Sequence, residues 1–136
     1  VAVKDRTLWA IFWAATVVFI IIMAVVLLPS SSDWVDIVLL TACIALIGLG
    51  FALMVLPVRR KVTGTIRKYL LLTGAAAAGF PIAAVLHNLV FALFNIEEPV
   101  FPIISTFVCP IGFLVGFVGT ILLTIKSRAA ETGQNR

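Results

Sequence analysis

Charge is scarce in this chain: 12% of its 136 residues are Asp, Glu, Lys or Arg, about half the share usual in a soluble domain. Histidine occurs once, at His87, and cysteine twice, at Cys43 and Cys109. A zinc or iron–sulfur centre takes about four ligands at characteristic short spacings, so no metal site is expected. A single histidine could ligate haem only with a second axial ligand from elsewhere, and no cofactor is expected either. Neither cysteine belongs to a CxxC pair and both sit in apolar sequence, so they read as small buried residues rather than redox thiols. A serine elbow, an HExxH, a Gly-rich phosphate loop and paired carboxylates inside an apolar run are all missing. Ser105 with His87 would be the one nucleophile–base pair, and nothing in their spacing supports it. The expectation is that the chain is not an enzyme.

What fills the space is apolar: 62% of the residues are hydrophobic and the mean hydropathy is +1.22. Four runs stand out, at residues 7–28, 35–58, 69–94 and 100–125. Each reaches the ~20 residues that cross about 30 Å of hydrocarbon as a helix. Asp36, at the start of the second, is the one charge inside them. A membrane β-barrel needs alternation of apolar and polar residues, which VVFIIIMAVVLL does not have. The expected fold is all-α, a single polytopic membrane domain over 1–136 with four transmembrane helices forming two antiparallel hairpins. The first run is too long for a signal-peptide core of about 7 to 15 residues and lacks a clear small-x-small cleavage site, so it reads as an uncleaved span.

All ten basic residues fall on one side of this scheme: Lys4 and Arg6, then Arg59, Arg60, Lys61, Arg67 and Lys68, then Lys126, Arg128 and Arg136. The positive-inside rule therefore predicts cytoplasmic termini and a cytoplasmic middle loop, and the expected location is a cell inner membrane or plasma membrane. The net charge of +4 does not point to nucleic acid, because the basic groups are juxtamembrane and lack interleaved aromatics. Arg59, Arg60, Lys61, Arg67 and Lys68 instead suit anionic lipid headgroups, at about 1 kcal/mol each near a charged leaflet. Trp9, Trp13 and Tyr69 then mark the inner boundary and Trp34 the outer one. Pro29 is expected to end the first span, and Asp33 to cap the second with Asp36 beside it.

Helices in lipid approach closely through small residues. Ala75, Gly79 and Ala83 recur every four positions with His87 next, and Gly112 and Gly116 form a GxxxG continued by Thr120, with Cys109 and Ser105 extending it outward. These two faces are expected to meet. Weaker stripes, Ala10 with Ala14 and Thr41, Ala45, Gly48 and Ala52, suit packing around that pair or against a partner. Pro81 and Pro110 cannot donate to the carbonyls of Ala77 and Thr106 and are expected to kink their helices.

His87 lies roughly 10 Å below the outer boundary at 1.5 Å per residue, where a polar side chain needs a partner and marks a candidate functional site. Asn88, Ser105, Thr106, Glu97 and Glu98 are the partners in reach. The two glutamates also stand at the start of the fourth span, where acids complement its dipole. The first run holds no acid, unlike the small multidrug antiporters, which depend on one there. Two functions are carried forward: a structural or accessory subunit of a membrane complex or homo-oligomer, bound to a membrane-protein partner or to itself, and a small transporter or channel with a polar site at His87 and Asn88 beneath an acidic loop.

Overall fold

Every apolar run is helical, and most helix ends have an identifiable cause. The computed structural model describes residues 5–27 and 33–134. Its elements are α1 (Arg6–Leu27), α2 (Asp33–Arg59), α3 (Thr65–Phe94), the short α4 (Val100–Ile103), a π-helical turn (Ile104–Val108) and α5 (Cys109–Gln134). Four stretches are long and apolar enough to cross a membrane: Arg6–Leu27, Trp34–Arg59, Thr65–Phe94 and Val100–Ala130. Lys4, Pro29, Arg136 and the side chain of Asp33 lie outside the described residues, and with them the roles expected of Pro29 and Asp33.

Asp5 starts α1: its carboxylate accepts from the backbone N–H of Thr7 at 3.0 Å and of Leu8 at 3.4 Å, satisfying donors that have no partner inside the helix. The same carboxylate pairs with Arg60 at 3.4 Å, joining the start of α1 to the end of α2. That end is a Schellman motif. Val62 N–H donates to the Pro57 carbonyl at 2.9 Å and Lys61 N–H to that of Val58 at 3.2 Å, with Lys61 left-handed at φ 53°. Helix α3 begins at Thr65, ahead of its apolar run, and α5 continues past Ile125 to Gln134. Apolarity marks the hydrocarbon-crossing part of a helix, whereas TIRK and KSRAAE carry no helix breaker and good helix formers, so the helix extends through them.

Helix α3 is the most buried of the four spans. It packs against α2 and against α5, while α1 packs against α2. The α2–α3 contact is backbone on backbone at Gly50 and Gly74: a Cβ built on either would sit 2.7 Å from the other's carbonyl oxygen. Between α1 and the fourth span the filler is aromatic. Phe19 stacks on Phe113 with ring centroids 4.1 Å apart, Phe12 on Phe117 at 5.5 Å, and Phe80 meets the edge of Phe19 at 5.8 Å. Spacing i, i+7 keeps Phe12 and Phe19 on one face of α1, and i, i+4 does the same for Phe113 and Phe117. In lipid such packing is driven by dispersion rather than by escape from water.

The exterior is apolar as well: Ile20, Ile37, Leu40, Ile44, Leu114 and Leu122 are all more than half exposed. Buried threonines are satisfied within their own helices. The hydroxyls of Thr16, Thr73, Thr120 and Thr124 donate to carbonyls four residues earlier at 2.8–2.9 Å. No buried side-chain nitrogen or oxygen among the described residues lacks a partner.

Pro81 is accommodated without interrupting α3. Pro110 is preceded by the π-helical turn, in which Cys109 N–H donates to the carbonyl of Ile104, five residues back. A widened turn gives the proline ring room where the carbonyl four residues earlier would otherwise collide with it.

Candidate functional site

The polar cluster is assembled where α3 ends and the fourth span begins. Asn95 takes the left-handed conformation at φ 50°, ψ 35°, and its N–H closes on the Phe91 carbonyl at 2.9 Å. Asparagine tolerates that conformation better than most residues, so the chain turns out of α3 here. Glu98 then caps α4 with both carboxylate oxygens: Oε1 accepts from Val100 N–H at 2.8 Å and Oε2 from Phe101 N–H at 3.0 Å. The acid sits at the positive end of the helix dipole.

His87 is bound by the backbone of the same residue. Its Nδ1 lies 3.2 Å from the Glu98 carbonyl oxygen. A carbonyl only accepts, so Nδ1 carries the proton and donates, and in the neutral ring Nε2 keeps its lone pair. Glu98 thus ties the two spans together, its side chain holding the fourth and its main chain holding α3. Neither Ser105 nor Thr106 takes part: Ser105 is buried and its hydroxyl donates to the Pro102 carbonyl at 3.1 Å, and Thr106 is exposed.

Around this link lies a cleft of about 470 Å³ lined by His87, Asn88, Phe91, Glu97, Glu98, Pro99 and Pro102. His87 is half-buried, while Asn88, Phe91 and Glu97 are exposed. The side chains of Asn88 and Glu97 hold no hydrogen bond or ion pair with any described residue. Among the described residues no three His, Cys, Asp or Glu side chains come together as a metal-binding group.

The packing residues are distributed in a different register from a strict four-residue ladder. Gly112 lies against Ala76 and Leu72, Gly116 against Thr73 and the Tyr69 carbonyl, and Gly79 against the Cys109 sulfur. Ala83 is buried but Ala75 is exposed. The face of α3 that meets the fourth span therefore runs through Tyr69, Thr73, Ala76 and Gly79. A ladder of i+4 steps drifts by about 40° per step around a helix of 3.6 residues per turn, so Ala75 and His87 cannot share one face. The buried positions of the fourth span, Ser105, Cys109, Phe113, Gly116, Thr120 and Thr124, are four apart except for the step of three from Phe113 to Gly116, which offsets part of that drift.

At the basic end, Arg59, Arg60, Lys61 and Lys68 are exposed and Arg67 half-buried. Arg67 and Lys68 line a cleft of about 470 Å³ with Gly64, Thr65 and Leu71. A second cleft, of about 430 Å³, brings Lys126 and Ser127 of α5 beside Thr65. Sequence reasoning missed the Gly50–Gly74 contact, the phenylalanine stack and the π-helical turn. Pro110 pointed to the last; the first two had no local signature, since glycine pairing and ring stacking between distant helices leave no spacing pattern in either partner. No family model matches the chain, and neither a curated protein nor a solved structure matches it.

Proposed function

We propose that the protein is a structural or accessory subunit of a membrane assembly, or a homo-oligomer, built as two antiparallel hairpins with both termini in the cytoplasm. The observation that carries this reading is the character of its interior and exterior. Stacked Phe12, Phe19, Phe113 and Phe117 and the Gly50–Gly74 contact occupy the space between helices, where a transporter would need a polar path. The outward faces are lined by large aliphatic and aromatic side chains suited to lipid or to another membrane helix. The ten basic residues support the cytoplasmic placement of the termini. Arg59, Arg60, Lys61, Arg67 and Lys68 then face the anionic headgroups of the inner leaflet of an inner or plasma membrane, which act as a lipid partner.

The test has two arms. Solubilised gently from native membranes, the protein is expected to migrate as a stoichiometric complex, with another protein or with copies of itself. Reconstituted alone into liposomes, it is expected to pass no ion or small solute. A flux that His87→Ala abolishes would overturn the reading.

A further inference from the structure

The His87 cleft joins an acid, an amide and an imidazole to an apolar wall, and its chemistry is distinct from that of the helix-packing surfaces on which the scaffold reading rests. Glu97 is an exposed carboxylate with no hydrogen bond or ion pair to a described residue. Neither adjoining span offers it a counter-ion, because no Lys or Arg occurs between residues 69 and 125. Glu98 is not a second free acid, since both of its oxygens are engaged by Val100 and Phe101 N–H. Glu98 nevertheless keeps its charge, so the cleft is anionic, and Glu97 is the carboxylate in it whose oxygens no described N–H group engages.

The other linings narrow the ligand class. Phe91 is 47% exposed and lines the cleft with Pro99 and Pro102, so much of the wall is apolar and includes an aromatic ring, whose face attracts cations. Asn88 contributes an amide that hydrogen-bonds to no described residue, and His87, whose Nδ1 donates to the Glu98 carbonyl, has Nε2 as its other ring nitrogen, an acceptor when unprotonated. One open carboxylate, a second already held by two N–H groups, and a largely apolar wall do not suit a divalent metal, which takes several hard oxygen ligands, and no metal-binding group of three acidic, His or Cys side chains forms among the described residues. They suit a monovalent cation whose charge is carried on carbon-bearing nitrogen. The volume, about 470 Å³, lies within the range of roughly 300–1,000 Å³ of small-molecule sites.

We propose that this cleft binds a small organic cation of the alkylammonium class, with Glu97 as counter-charge, Phe91 as the aromatic face, and Asn88 and His87 as acceptors for its N–H groups.

Tetramethylammonium and ethylammonium are suitable probes, because both stay in water rather than entering lipid. Binding to the full chain in zwitterionic nanodiscs is read by saturation-transfer NMR, with empty nanodiscs as the blank. Both cations are expected to saturate. Glu97→Gln should weaken each roughly three- to fivefold, the scale of an exposed ion pair, and Phe91→Leu should weaken tetramethylammonium by about twofold or more. Asn88→Leu should weaken ethylammonium and leave tetramethylammonium unchanged. Absence of saturable binding, binding that Glu97→Gln leaves unchanged, or displacement by sodium at equal concentration would each overturn the proposal, the last by reducing it to a diffuse counter-ion atmosphere.

Discussion

At the residue scale, the glycines separate into those that hold helices together and those that do not. A methyl group on Gly74 would approach the Gly50 carbonyl at 2.7 Å and the Leu53 Cβ at 3.0 Å, whereas one on Gly48 would meet nothing within 4 Å. Gly74→Ala should therefore destabilise the bundle by about 1–3 kcal/mol through overpacking. Gly48→Ala should be neutral or stabilising by up to about 1 kcal/mol, through helix propensity alone. Unfolding in mixed micelles measures both, and equal effects would refute the assignment of the contact. Glu98 makes a second contrast. Glu98→Ala removes both capping acceptors and should cost about 0.5–2 kcal/mol, while Glu98→Gln keeps one acceptor and should lose less; identical losses would show that charge, not hydrogen bonding, sustains the cap. The sequence already marked His87, Glu97 and Glu98 as one neighbourhood, because a lone polar residue inside an apolar run and acids before a helix each have a physical cause. It did not reveal that His87 is held by a backbone carbonyl, since a main-chain acceptor is present at every residue and leaves no trace in composition.

At the scale of the element, the fourth span is two helices joined through a wide turn. Hydropathy read it as one run, correctly for length and blindly for register, because a π-turn adds a residue without altering apolarity. Buried positions Ser105 and Cys109 lie at or beside this turn, and Phe113, Gly116, Thr120 and Thr124 beyond it, so the turn sets how the outer segment is phased against α3. The extra residue exists to accommodate Pro110. In a Pro110→Ala background, deleting the exposed Thr106 should restore a continuous α-helix and retain stability to within about 1–2 kcal/mol, the range of ordinary point substitutions. Deleting Val115 instead would rotate one half of the seam against the other by about 100° and should prevent folding. Helical content and unfolding midpoint of the two deletions check this, and equal tolerance of both would refute the role given to the turn. The four-residue stripe through Ala75, Gly79 and Ala83 shows the same limit from the other direction: small residues identified the right helix pair, but only the three-dimensional winding selects Ala76 over Ala75.

At the scale of the whole molecule, charge is polarised along the chain, and this is the basis of the orientation proposed above. Residues 59–68 hold five basic groups and Lys126 and Arg128 add two, while residues 69–125 hold none. Carrying the middle loop across a bilayer would mean desolvating all five, and each Arg or Lys at the centre of a spanning helix costs about 2.5–3.5 kcal/mol on insertion scales. The segment around Glu97 carries no such penalty, so it is the loop expected to cross. This expectation can be drawn from the sequence alone because topology depends on counts of charge between spans and not on packing. Two exposed positions report the outcome, Glu97 at the acidic end and Thr63 at the basic end. With Cys43 and Cys109 replaced by alanine to remove background thiols, Glu97→Cys should react with a membrane-impermeant maleimide added to intact cells. Thr63→Cys should react only after the membrane is permeabilised. The reverse pattern would place the termini outside, and labelling of both positions in intact cells would mean that the chain inserts in two orientations despite its one-sided charge.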